Sequence, residues 1–203
     1  MKAKKLTIIF IILFFIGGIC FFIFSKNNMS KNLKIGNNSS SQEIVNYILN
    51  ISSYNTKVEV EVKSNKNTNK YILKQEYKAP DINFQEVIEP SNIAGVKITR
   101  NGQDLRIENT KLNLNTVFEK YEYISENALD LSSFIEDFKK DNNAQIKEDG
   151  EKIIMKTSGD QNSTKSKTLY INRADAKPIK MEIVDNDKNV TVYILYNEVN
   201  VNS

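Results

Sequence analysis

The chain has 203 residues, 28 of them basic and 25 acidic, with no histidine, no tryptophan and a single cysteine, Cys20. Beyond residue 20 it therefore lacks an imidazole base, a thiol nucleophile, the Cys/His ligands of a zinc site and any disulfide. The length suits one globular domain with an appendage.

The appendage comes first. Lys2, Lys4 and Lys5 precede Leu6 to Phe24, a run without a charged residue that is about 28 Å long as a helix, enough to cross the hydrocarbon of a bilayer. The leading lysines are expected to stay cytoplasmic and send the remaining chain outward, against weak opposition from Lys26, Lys31 and Lys34. Cys20 lies inside the run. Gly17 and Gly18 resemble a degraded lipoprotein recognition site, but Ile19 precedes the cysteine and Phe21 to Phe24 follow it, which would keep that bond among acyl chains. Residues 1–24 therefore read as an uncleaved membrane anchor, with lipid attachment at Cys20 as the alternative. Either way the domain is expected on the extracytoplasmic side of a cell or spore membrane. Setting the three leading lysines aside leaves 25 basic against 25 acidic residues, and a neutral domain has no footprint for a nucleic-acid partner.

Residues 25–41, "SKNNMSKNLKIGNNSSS", are polar and read as a flexible tether with a reach of about 22 Å. The domain, residues 42–203, opens with a helix. Ser40 stands three residues before Glu43, the spacing of a capping box, and Ile44, Tyr47, Ile48 and Ile51 form one apolar stripe. The period then changes to two. In "KVEVEVKS" Val58, Val60 and Val62 alternate with charged residues, "KYILKQEYKA" aligns Tyr71, Leu73 and Tyr77, and "INFQEVIEP" aligns Ile82, Phe84 and Ile88. Asn101-Gly102 predicts a two-residue hairpin that pairs Arg100 with Gln103, sets Ile98 opposite Leu105 and Val96 opposite Ile107, and brings Lys97 against Arg106.

"SENALDLSSFIEDFKKD" predicts a second helix with Leu131, Phe134, Ile135 and Phe138 on its buried face. Five more strands follow: a hairpin about Asp149-Gly150, then "KTLYINR", "PIKMEIVD" and "NVTVYILYNEVNV", the last apolar on both faces and expected inside the sheet. One helix, about five strands, a helix and about five strands predict an α+β fold. Its economical form is a strongly curved antiparallel sheet, an incomplete barrel, with both helices on the concave face.

This order, with "QEYKAPDINFQEVIEPSNIAGVKITRNGQDLRIEN" between the helices, resembles the LolA/LppX-type lipoprotein-carrier fold. "NKNTNKYILKQEYKAPD" and "DLSSFIEDF" on an Asn/Lys/Ile-rich background resemble the GerS family of clostridial spore germination proteins. That resemblance implies an exported, non-catalytic scaffold or activator that associates with a cell-wall N-acetylmuramoyl-L-alanine amidase during modification of the spore cortex peptidoglycan. Family members are described as lipoproteins, and the poor site at Cys20 departs from that pattern.

The residues themselves point away from an enzyme. No Ser-x-x-Lys spacing occurs, no cofactor motif is present, and Glu86, Glu89, Glu136 and Asp137 read as solvated surface acids. The alternative function is binding of a lipid or lipoprotein acyl chain inside the curved sheet. Val58, Val60, Phe84, Ile98, Leu105, Leu131 and Phe138 would line such a cavity, although close packing of the same residues as ordinary core is the commoner outcome.

Overall fold

Alternating valines on a strand whose other face is charged can lie in only one way on a core, and β1, Ser53–Lys63, buries Tyr54, Thr56, Val58 and Val60 while exposing Lys57 and Glu59. The computed structural model describes residues 39–64, 66–120, 129–158, 164–187 and 189–202. The expected anchor, Cys20 and all but the last residues of the tether lie outside them. Among the described residues, no helix is long and apolar enough to cross a membrane.

Helix α1, Ser41–Leu49, begins where the capping box places it: Ser40 Oγ accepts from the Glu43 amide and the Glu43 carboxylate accepts from the Ser40 amide. It buries Ile44, Val45 and Ile48. Strands β1, β2 (Thr68–Lys78), β3 (Ile82–Glu89), β4 (Lys97–Asn101), β5 (Asp104–Asn109) and β6 (Leu114–Phe118) form a meander. Helix α2, Leu131–Lys140, follows, and then a second meander of β7 (Gln145–Asp149), β8 (Lys152–Ser158), β9 (Thr164–Asn172), β10 (Pro178–Asp185) and β11 (Val190–Asn202). All eleven strands join one antiparallel sheet in the order β6-β5-β4-β3-β2-β1-β11-β10-β9-β8-β7. It is curved and unclosed, with β6 and β7 as its edges. First and last strands meet at the centre, where Val58 opposes Tyr196 and Val60 opposes Ile194.

Both helices lie on one face, called the inner face below. Ile44, Val45 and Ile48 of α1 and Leu131, Phe134, Ile135 and Phe138 of α2 share a core with Val58, Val60, Leu73, Ile153, Met155, Leu169, Ile171, Met181 and Ile194. The architecture is thus α+β and sheet-dominated, as expected, with three corrections.

First, six strands precede α2, because β6 also pairs in the sheet. Second, the β4-β5 hairpin is shifted: Asn101 pairs with Asp104, leaving Gly102 and Gln103 in the loop. Gly102 has φ 59°, as the first central position of a type II′ turn requires. Ile98 then opposes Ile107, Arg100 opposes Leu105, and Lys97 faces Glu108 rather than Arg106. The shift replaces a repulsive cross-strand pair with an attractive one.

Third, β3 is turned over. Ile82, Phe84 and Ile88 share a face, but it is the outer one, whereas Asn83 and Val87 are buried. The register agrees, since Asn83 lies beside the inward Tyr77 and Val87 beside the inward Leu73. Phe84 therefore faces away from the lining expected for it.

Candidate functional site

The reversal of β3 has a cause in α2. Asn83 and Gln85 on β3 and Arg100 on β4 point inward, and the first turn of α2 offers them polar partners. With its oxygen toward Arg100, the Asn83 amide donates to Ser132 Oγ at 2.8 Å and accepts from Arg100 Nε at 3.1 Å. Gln85 Nε2 donates to Asp130 Oδ1. Asp130 holds the N-cap position of α2, yet its side chain makes no capping bond. Gln75 on β2 extends the layer by donating to the Leu129 carbonyl at 3.3 Å. An apolar β3 inner face would strand these buried groups, at a cost of about 1–3 kcal/mol each.

Burial pushes the Asp130 carboxyl above the usual carboxylate range, and the Gln85 bond and Arg100 oppose that shift only in part. Burial likewise drives the Tyr54 and Tyr196 hydroxyls up, with the Asp130 charge adding to both.

The opposite flank of α2 is pinned by β9. Lys167 is 2% exposed, and its Nζ lies 2.6 Å from Asp137 Oδ2 and 3.4 Å from Ser133 Oγ. Glu136 stands 4.0 Å from Arg100. The two acids of α2 are thus half-buried and paired, which corrects their reading as solvated surface groups. At its end, Asp141 accepts the Ser158 and Asn143 amides at 2.6 and 2.7 Å, and these bonds hold its carboxyl below the usual range. The polar layer thus fixes the helix to both halves of the sheet. Among the described residues, no three His, Cys, Asp or Glu side chains are grouped to hold a metal ion.

Of the seven residues expected to line a cavity, Val58, Val60, Leu131 and Phe138 come together in one packed cluster. Leu105 is buried outside that cluster, Ile98 is half-buried on the inner face, and Phe84 is on the outer face. The reading of the sequence missed Gln75, Asn83, Gln85, Arg100, Asp130 and Lys167. The one local signal, for Asn83 and Gln85, is a polar residue at each inward position of β3 except Val87.

The outer face is free of both helices. It carries a lattice of mixed charge, Lys57, Lys74, Glu86, Lys97 and Glu108 lying side by side across five strands. Among these charges sit exposed apolar residues: Ile82 at 43%, Ile88 at 42% and Leu195 at 46%. Leu195 and Ile72 flank Glu59 in a cleft of about 420 Å³. An arrangement of this kind can bind a surface, since apolar contacts supply affinity and the charges fix register.

Several solved structures have similar folds. An uncharacterized conserved protein from Thermus thermophilus is 13% identical, covering 81% of this chain and 89% of its own, with a TM-score of 0.51. The CwlD amidase from Clostridioides difficile in complex with the GerS lipoprotein contains a chain that is 25% identical over 79% of this chain and 95% of that one, with a TM-score of 0.50. The LolA superfamily protein NE2245 from Nitrosomonas europaea is 12% identical over 81% and 94%, with a TM-score of 0.45. No curated protein matches the chain. The sequence profile described as sporulation protein YdcC-like matches residues 3–203, the expected anchor as well as the folded domain, and the chain accordingly belongs to the YdcC-like family of sporulation proteins.

Proposed function

We propose that this chain is a non-catalytic, membrane-tethered partner of a cell-wall N-acetylmuramoyl-L-alanine amidase that acts during sporulation, on the extracytoplasmic side of a cell or spore membrane. The observation that carries the proposal is the 25% identity, across nearly the full length of the relative, to a structure in which the GerS lipoprotein is bound to the CwlD amidase. Membership of a sporulation family is in keeping with it.

The geometry supports a binding role in two ways. Val58, Val60, Leu131 and Phe138 are buried within one core cluster, which favours a filled inner face over one holding an acyl chain. Struts from β3, β4 and β9 hold α2, so the sheet offers its outer face as a stiff surface. A stiff partner can hold an enzyme in its active conformation by binding that conformation preferentially.

The test is light scattering on the full-length chain in detergent, mixed with the amidase produced by the same cells during sporulation. A stoichiometric complex is expected. Two species that elute separately at micromolar concentration would remove the proposal.

A further inference from the structure

We propose that the cleft between β11, β1 and β2 on the outer face receives a segment of the partner enzyme that presents one aliphatic or aromatic side chain beside a lysine or arginine. The inference rests on the amidase-partner reading and adds where and how the enzyme is held.

Leu195, Glu59, Ile72 and Glu89 lie side by side across β11, β1, β2 and β3. Tyr193, Glu61 and Lys70 form the next row. The floor is apolar, formed by half-buried Ile72 and exposed Leu195. The charges around it are unevenly satisfied. Glu61 is bridged by Lys70 at 3.2 Å and Lys63 at 3.4 Å, and chiefly the Lys70 bond holds its carboxyl below the usual range. Lys63 is further engaged over the Tyr193 ring, 4.5 Å from its centroid. Glu59, by contrast, takes only the neutral Asn197 amide among the described residues, at 3.0 Å. Glu89 has no ion-pair or hydrogen-bond partner among the described residues. Two uncompensated carboxylates therefore flank an apolar floor, and a segment carrying an apolar anchor with an adjacent cation satisfies both features at once.

Two neighbouring clefts lack this combination. One, of about 400 Å³, has Ile82 and Phe84 in its wall, but its Glu76 is neutralised by Lys74 at 2.7 Å. The other, of about 320 Å³, sets Lys57 beside Ile88 and Glu198, and that lysine does not favour a cationic anchor.

The experiment measures the affinity of the full-length chain for the amidase at two salt concentrations, for the wild type and for L195S, E59K and F84S. L195S is expected to weaken binding about tenfold or more. E59K is expected to weaken it at low salt and to flatten the salt dependence, while F84S stays within about twofold of wild type. Unchanged far-ultraviolet circular dichroism of each variant excludes misfolding as the cause of a loss. Wild-type affinity in both L195S and E59K overturns the cleft and leaves the partner reading standing. Failure of the wild-type chain to bind removes both.

Discussion

Asp130 is a buried carboxyl whose titration couples the interior to pH. Its carboxyl is raised by burial above its ordinary value of 3.8. Stability from such a group is fully present below the unfolded pKa and is lost as pH rises through the folded one. Asp141 and Glu148 act in the opposite sense. The amides of Ser158 and Asn143 depress Asp141, and Ser41 followed by Arg173 depress Glu148, so their contribution is present at neutral pH and lost as the solution is acidified through their folded values. D130N keeps the oxygen that accepts from Gln85 and removes the titration. Urea unfolding across pH 4 to 8 is expected to give a variant that matches the wild type at the acid end and exceeds it in stability at the alkaline end. A variant less stable than wild type at pH 7 would show that Arg100 and Lys167 need the negative charge more than burial opposes it.

At the scale of elements, β3 decides how much of the fold can be read from the sequence. Its alternation shows that Ile82, Phe84 and Ile88 share a face but not which face meets the helices. That choice is made by Ser132 and Asp130, which lie 49 and 45 residues beyond their partners Asn83 and Gln85. Local pattern has no access to contacts of that range. By contrast, α1 and β1 are legible because their signals are local: the Ser40–Glu43 box and the alternation of valines with charged residues. The β4-β5 hairpin lies between these cases. Its Gly marks the turn, but placing Gly102 first or second in the loop shifts the register, and the Lys97–Glu108 pairing becomes apparent only once both strands are built. β6 is hidden because Leu114, Val117 and Phe118 do not alternate.

The orientation of β3 can be tested by substitution. V87S places a hydroxyl in the core and is expected to cost about 2 kcal/mol or more. F84S and I88S, on the outer face, are expected to cost less than about 1 kcal/mol each. The reverse order in chemical denaturation would mean that the apolar face of β3 points inward after all.

For the whole molecule, the sheet order places the two chain-terminal strands of the domain side by side, β1 against β11, so that each meander forms one wing. The wings end differently. β7 carries Lys147, Glu148 and Asp149 and is exposed throughout, a charge-guarded edge. β6 has no charged residue and exposes Val117. Between these edges the helices cover one face and leave the other to solvent. A fold so arranged leaves one broad face of the sheet open to solvent, and in its polar layer Asp130, Glu136, Asp137 and Lys167 are each bonded to or within 4.0 Å of a neighbouring polar group.

The most direct test of the central claim is the release of peptide from purified peptidoglycan by the full-length chain alone, by the amidase alone, and by the two together. The account predicts no release by the chain alone and faster release by the pair than by the amidase. Release by the chain alone, or a rate with both present no greater than the amidase gives by itself, would contradict it.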